Sequence, residues 1–207
     1  MADKKRRKAL IAMAKASTAE EMLAAAAIAG LVNDKGRVTL DRPISSKLCA
    51  VDLSLVDFHR TTFENIRFIN CPAAGVTFNE CRFDSCFFAA EGTGLASLRG
   101  STFLNCSLTN TNFGAARLDL REVKFVHTNL RDCTFRFGKL AGGRFERCYL
   151  DYVMLRAADL ENASFSGSTL KKVCFELSDL STVNFEGVTF LQADFWGPLD
   201  LPGPTGG

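Results

Sequence analysis

The sequence predicts an all-β solenoid, and three observations carry that prediction. Leu or Phe returns every five residues over most of the chain, a usually small residue stands two positions before it, and Phe is used 18 times against 2 Tyr and 1 Trp. A period of five fits neither the 3.6 of a helix, the 2 of a strand nor the 3.5 of a coiled coil. The backbone therefore has to turn after each unit while sending one large apolar side chain inward. Such units bury nothing alone and must stack on one another.

The large positions form two series. From Leu120 the period runs without exception through Phe125, Leu130, Phe135, Leu140, Phe145, Leu150, Leu155, Leu160, Phe165, Leu170, Phe175, Leu180, Phe185, Phe190 and Phe195. Upstream, in a shifted frame, it runs from Leu48 to Leu118, broken only at Ala73 and Thr93. Asp200 falls on the next position of the first series, which ends the repeat at Phe195. Val123, Thr128, Cys133, Gly138, Gly143, Cys148, Val153, Ala158 and Ala163 sample the small inward positions.

Ala158-Asp159-Leu160-Glu161-Asn162 reads as a small residue, an Asp or Asn, a Leu or Phe and two polar positions, and Ser178-Asp179-Leu180, Val183-Asn184-Phe185 and Ala193-Asp194-Phe195 repeat its first three. In this the chain resembles the pentapeptide-repeat family. The resemblance implies a right-handed quadrilateral β-helix with four repeats, or about 20 residues, per coil. It implies between seven and eight coils over the repeat span, a rod on the order of 35 Å long at the usual strand spacing.

The pattern departs at Pro72–Gly75, at Glu91–Gly94 and at Gly114–Arg121, where two extra residues shift the frame. These sites lie roughly one coil apart, so they should stack on one edge of the rod as bulges or short loops. Glu91 falls on an inward position, and a bulge should turn it out, because an unpaired buried carboxylate is costly.

The organisation that follows has three parts. Residues 1–47 form a basic helical and hairpin segment that caps the first coil, residues 48–196 form the β-helix, and residues 197–207 form an end segment with a Pro/Gly tail. Residues 1–47 hold 10 Lys/Arg against 5 Asp/Glu, whereas the remainder holds 15 against 18. Neither part is a strong polyelectrolyte. The basic run Lys4–Lys8 is a candidate electrostatic contact. The apolar stretches Ala9–Ala14 and Met22–Val32 are too short for a membrane span or a secretory leader, so the chain reads as cytoplasmic; the family resemblance implies a bacterial protein and admits a secreted effector.

Eight cysteines invite a metal or disulfide reading, yet Cys71, Cys81, Cys86, Cys106, Cys133 and Cys148 occupy small inward positions and read as core residues. His59 and His127 are far apart, and no second Cys pair matches a first, so no metal and no cofactor are expected. Cys86 and Cys106 stand about one coil apart as candidate neighbours. The chain lacks a phosphate loop, a nucleophile elbow and a metal-binding histidine pair, and so reads as non-catalytic. Asp159, Asp179, Asn184 and Asp194 read as turn residues that bond the backbone.

The outward positions Arg131, Arg136, Arg147, Tyr149, Tyr152, Met154 and Arg156 gather the residue types that anchor interfaces within about two coils. They are the candidate surface for a protein partner. Phe190, Phe195 and Trp196 are candidates for an end cap or for a homodimer contact at the carboxyl-terminal end. Two functional classes compete. One is a rigid rod that binds a protein as scaffold, regulator or effector. The other, implied by the family resemblance, is a DNA mimic that binds a type II topoisomerase. A mimic needs a strongly acidic surface, which the charge balance and the arginine cluster oppose, and nucleic acid itself is not an expected partner.

Overall fold

The computed structural model describes residues 48–49, 53–54, 57–92, 96–114 and 117–192, which include fifteen short parallel strands and no helix. The proposed amino-terminal cap and the carboxyl-terminal end segment lie outside the described residues. The inward residues fall into four ladders, one per side of a four-sided coil. The first face carries Phe58, Phe78, Phe103, Phe125, Phe145, Phe165 and Phe185, and the second carries Phe63, Phe83, Leu108, Leu130, Leu150, Leu170 and Phe190. The third runs from Leu48 through Phe68 and Phe88 and continues past Phe113, Phe135, Leu155 and Phe175. The fourth is held by single bridges, Pro72 to Ser97, Ser97 to Asp119, Asp119 to Lys139 and Lys139 to Asp159.

The corner between faces is made by one residue, the second after each inward Leu or Phe. At eighteen such non-glycine corners φ lies between 49° and 61°, in the left-handed region, with Thr182 and Ala90 outside it. Asn65, Asn70, Asn105, Asn110 and Asn162 suit it, and Gly75, Gly100, Gly142, Gly167 and Gly187 suit it better, because they tolerate this backbone at least cost. Other residues there give up about 1 kcal/mol or more each. Just before the turn, Asp159 and Asp179 accept the backbone N–H two residues on, at 3.3 and 2.9 Å, and Asn184 does so at 2.8 Å, which fixes the exit angle. These are the turn roles expected of them; Asp194 lies outside the described residues.

The interior is filled by ring stacking at the spacing of the coils. On the first face seven Phe rings stack from Phe58 to Phe185 with centroids 4.7–5.6 Å apart and planes within 18°. A second stack, Phe88, Phe113 and Phe135, has planes within 9°. Rings on neighbouring faces meet edge to face, as Phe125 and Phe135 do at 80°, so each ring stacks along the rod and presents an edge across it. The small inward positions line the corners. Beside the first face, the Thr128 and Ser168 hydroxyls donate to the carbonyls of Phe103 and Phe145 at 2.9 and 2.7 Å, and the Cys106 and Cys148 thiols donate to Phe78 and Phe125 at 3.2 Å. A buried carbonyl that the parallel ladder leaves free is satisfied in this way from the next coil.

The register corrects two sequence expectations. Pro72 pairs with Ser97, 25 residues on, so a whole five-residue unit is looped out between Phe88 and Leu98. An insertion of one period leaves the sequence in frame and hides itself. Together with the two residues gained between Phe103 and Phe125, it leaves about six turns among the described residues, fewer than the seven to eight expected over the whole repeat span. Pro72–Gly75 is no bulge, since Phe58 and Phe63 pair with Phe78 and Phe83 at the regular 20 residues and Ala73 is an ordinary inward residue. The two passages that are lengthened share one edge, the corner between third and fourth faces, where the Arg117 guanidinium donates to the Gly92 carbonyl. Glu91 points outward there, 3.5 Å from Arg67, and its N–H donates to the Asn70 side chain at 2.7 Å.

Replacing Phe125→Ala removes one ring from the middle of the long stack and leaves a cavity between two coils, and should cost about 3–5 kcal/mol of unfolding free energy. Ser168→Ala, which strips the Phe145 carbonyl and the Cys148 N–H of their partner, should cost about 1–3 kcal/mol. Both are read from denaturant midpoints by circular dichroism. A Phe125→Ala variant within 1 kcal/mol of wild type would show that the stack is not what holds adjacent coils.

Candidate interaction surface

The four-sided register sorts the seven predicted partner residues into columns. The outward residue before each inward one and the outward residue after it form two parallel columns per face. Tyr149 and Arg131 stand on the second face, with Tyr149 between Asn129 and Thr169, and Arg131 next to Asp151. Arg136, Met154 and Arg156 stand on the third face, Met154 between Thr134 and Cys174. Tyr152 is the corner that joins these two faces, with φ 54°. Arg147 is the corner on the other side of the second face, with φ 50°. Six of the seven therefore wrap one edge of the rod over two adjacent faces, and Arg147 lies apart from them.

Each of these side chains has definable surroundings. Arg131 lies 3.5 Å from Asp132 and Arg156 lies 3.2 Å from Glu176. The Lys172 ammonium sits 4.5 Å over the Tyr152 ring and bonds its hydroxyl. Asp151, buried at 7% exposure, is held by Lys171 at 3.3 Å through one oxygen, and its other oxygen has no partner among the described residues. The hydrogen bond and charge of Asp151 push the Lys171 ammonium above its usual pKa. Arg147 lies over Gly167 and, with His127, Glu146, Glu186 and Gly187, lines a groove of about 510 Å³ on the edge between the first and second faces.

The third face also carries what sequence reasoning missed. Phe137 and Leu177 are corners, two positions after Phe135 and Phe175, and they are 54% and 59% exposed, above Tyr152 at 46% and Met154 at 43%. The signal was present in the sequence: an apolar residue on the position where other repeats put Asn, Gly or a charge. At the lower end, Phe190 is 38% exposed although Leu170, one coil back on the same ladder, is fully buried. Phe195 and Trp196 lie outside the described residues.

The cysteines behave as core. Cys71, Cys81, Cys86, Cys106, Cys133 and Cys148 are buried. The looped-out unit changes which of them are neighbours: Cys106 meets Cys81 rather than Cys86, since Phe103 stacks on Phe78. Hydrogen bonding to Cys81 and burial push the Cys106 thiol far up, and burial pushes Cys86 to about 11 and Cys133 and Cys148 to about 12. Among the described residues no cluster of His, Cys, Asp and Glu could hold a metal ion. No helix among them is long and apolar enough to cross a membrane.

The profile of the family described as pentapeptide repeat region matches residues 116–185. Among solved structures, the chain is similar to HetL, a pentapeptide repeat protein involved in heterocyst differentiation regulation from the cyanobacterium Nostoc sp. strain PCC 7120, at 17% identity and a TM-score of 0.41 over 86% of this chain and 94% of that one. It is also similar to full-length QnrB1, a plasmid-mediated fluoroquinolone resistance protein, at 18% identity and a TM-score of 0.32 over 74% and 93% of the two chains. The pentapeptide repeat protein Rfr23 from the cyanobacterium Cyanothece 51142 aligns at 15% identity and a TM-score of 0.18 over 78% and 88%. No curated protein matches the chain.

Thiol chemistry tests the burial pattern. In the native protein at pH 8, iodoacetamide should label Cys174, which is partly exposed on the third face, and spare Cys86, Cys133 and Cys148, whose thiolates are scarce at that pH and shielded. Peptide mapping by mass spectrometry reads this directly. Rapid native labelling of Cys133 or Cys148 would contradict the packed interior.

Proposed function

We propose that this chain, a pentapeptide-repeat protein whose repeats build one continuous four-sided rod, is a non-catalytic interaction module that binds a protein partner on its sides. The observation that carries the reading is the concentration of Arg, Tyr and Met on the outer columns from Arg131 to Arg156, over two adjacent faces of a rod whose interior is filled with side chains. Large, stiff Tyr rings and forked Arg side chains bind at low entropic cost, and a flat ladder of parallel strands holds them at fixed spacing. Catalysis calls for a cleft that surrounds its substrate, and the stacked rings occupy the space where this rod would offer one.

Charge layout favours this reading over a DNA mimic. Arg60 and Glu80, Arg99 and Glu122, Arg121 and Asp119, and Lys171 and Asp151 are opposite-sign pairs spread along the rod. A surface that imitates a phosphate backbone needs carboxylates in uncompensated rows. Within the same proposal, residues 1–47 cap the first coil, and Phe190 with Phe195 and Trp196 either covers the last one or joins two copies. The protein acts in the cytoplasm or as a secreted effector.

The test is quantitative affinity capture from lysate with three proteins: the intact chain, a variant with Arg131, Tyr149, Tyr152 and Arg156 all changed to Ala, and a variant lacking residues 1–16. The expected outcome is one set of proteins held by the intact chain and depleted at least about tenfold on the quadruple variant. Equal recovery on all three would remove both the side-surface assignment and a role for the basic amino terminus in binding.

A further inference from the structure

We infer that the corner between the third and fourth faces, together with the adjoining column of the third face, is a docking ridge for an acidic amphipathic helix of another protein. This rests on the interaction reading above and narrows it to one surface and one partner chemistry.

The ridge is the column Phe137, Ala157 and Leu177, three successive corners with φ 58°, 50° and 61°. On the other three edges the left-handed corners carry Asn, Gly, Ser or charged residues, together with His127, Gln192 and Tyr152, and Thr182 stands at a corner outside the left-handed region. Here the same unfavourable backbone carries two large apolar side chains, the most exposed of the large hydrophobic residues described. Neither covers its own coil, and polar residues would sit there with less strain. The arrangement makes sense if something covers them.

The spacing and charge indicate what does. Phe137 and Leu177 are two coils apart, about 9.6 Å at the strand spacing, and Ala157 between them leaves a dip. A helix advances about 10.5 Å in seven residues, so apolar side chains at i and i+7 meet Phe137 and Leu177 while one at i+3 or i+4 enters the dip over Ala157, the usual anchor pattern for a helix seated on a protein surface. Beside the ridge, Arg156 is engaged by Glu176, whereas Arg136 has no carboxylate within ion-pair distance among the described residues. Its guanidinium lies 5.8 Å over the Phe137 ring, and its Nε is buried without an acceptor. A partly desolvated guanidinium lacking an anion calls for a carboxylate from outside, and such a pair is short and directional. Met154, 43% exposed on the same face, adds an adaptable apolar contact on the flank.

The experiment is selection of binders from a displayed library of helix-biased peptides against the intact protein, followed by fluorescence anisotropy with the selected peptides. The selected sequences should share apolar residues at i, i+3 or i+4, and i+7 with an Asp or Glu beside them. The double variant Phe137→Asn, Leu177→Asn should bind them at least about tenfold more weakly, with a melting temperature equal to or above wild type because Asn accepts the corner backbone. Arg136→Gln should weaken binding and flatten its dependence on salt. Selected peptides without that signature, or binding unaltered in these variants, would overturn the ridge.

Two other occupants are read in parallel, and either would also overturn the proposal. One is binding to phosphatidylglycerol vesicles lost in the double Asn variant, and the other is self-association in sedimentation velocity lost in the same variant. Failure of the ridge is distinguishable from failure of the broader reading: a captured partner lost on the Arg131, Tyr149, Tyr152, Arg156 variant but kept on the double Asn variant sinks the ridge alone.

Discussion

A parallel ladder that must turn a corner after every fifth residue is the constraint from which this molecule follows. Turning so tightly needs one left-handed residue per unit, at the same place each time, and the run of positive φ from Arg60 to Gln192 is that requirement written into the backbone. Once the corner is fixed, so is everything between corners: one inward residue, one small inward residue before it, and two that face out. Coil-to-coil hydrogen bonding then sets a rise close to the preferred offset-stacking distance of aromatic rings. Backbone and core thus prefer one repeat distance, and the 4.7 Å separations of Phe78, Phe103 and Phe125 satisfy both. Phe serves the stacks better than Tyr or Trp would, because neither a hydroxyl nor an indole N–H finds a partner in the centre of such a coil.

The same constraint explains what could be read from the sequence. Inward residues obey a strict period and a narrow chemistry, so the ladders, the core cysteines and the turn roles of Asp159, Asp179 and Asn184 were legible without coordinates. The looped-out unit near Glu91 was not. Its length equals the period, so Leu98 still fell in frame although its ladder neighbour is Ala73, and the cysteine adjacency was misassigned in consequence. The two-residue excess before Leu120 was legible because it broke the frame. Periodic sequences expose insertions that are not multiples of the period and conceal those that are.

Outward residues are another matter. Five-residue spacing says that a side chain faces out and says nothing of which side of the rod it faces, which depends on the count of units since the last insertion. Arg131 and Tyr149 stand on the second face, whereas Arg147, close to them in sequence, is the corner between the first and second faces. Phe137 and Leu177 were passed over because a search for apolar pattern looks for regular positions, and theirs is regular only once corners are recognised as columns. A chain with 20-residue coils brings together residues 20 apart, so sequence neighbours such as Arg147 and Tyr149 stand on different columns while Phe137 and Leu177 share one.

A rod of this kind has little freedom to change shape, and that bears on how it works. Each coil is tied to both neighbours by parallel hydrogen bonds and by rings or branched side chains in contact, so local adjustment is confined to outward side chains and to the corner where the chain was lengthened. In the proposed interaction role, recognition would be by presentation on a fixed lattice, with spacing along the rod set by the strand repeat and spacing across it set by the five-residue unit. Selectivity comes from which lattice points are occupied and by what charge. Several charged lattice points are paired with a neighbour of opposite sign, as at Arg60 and Glu80 or Arg99 and Glu122. Arg136 beside Phe137 differs from them in having a buried Nε without an acceptor among the described residues. On a scaffold this regular, uncompensated positions are the ones a partner has to complete.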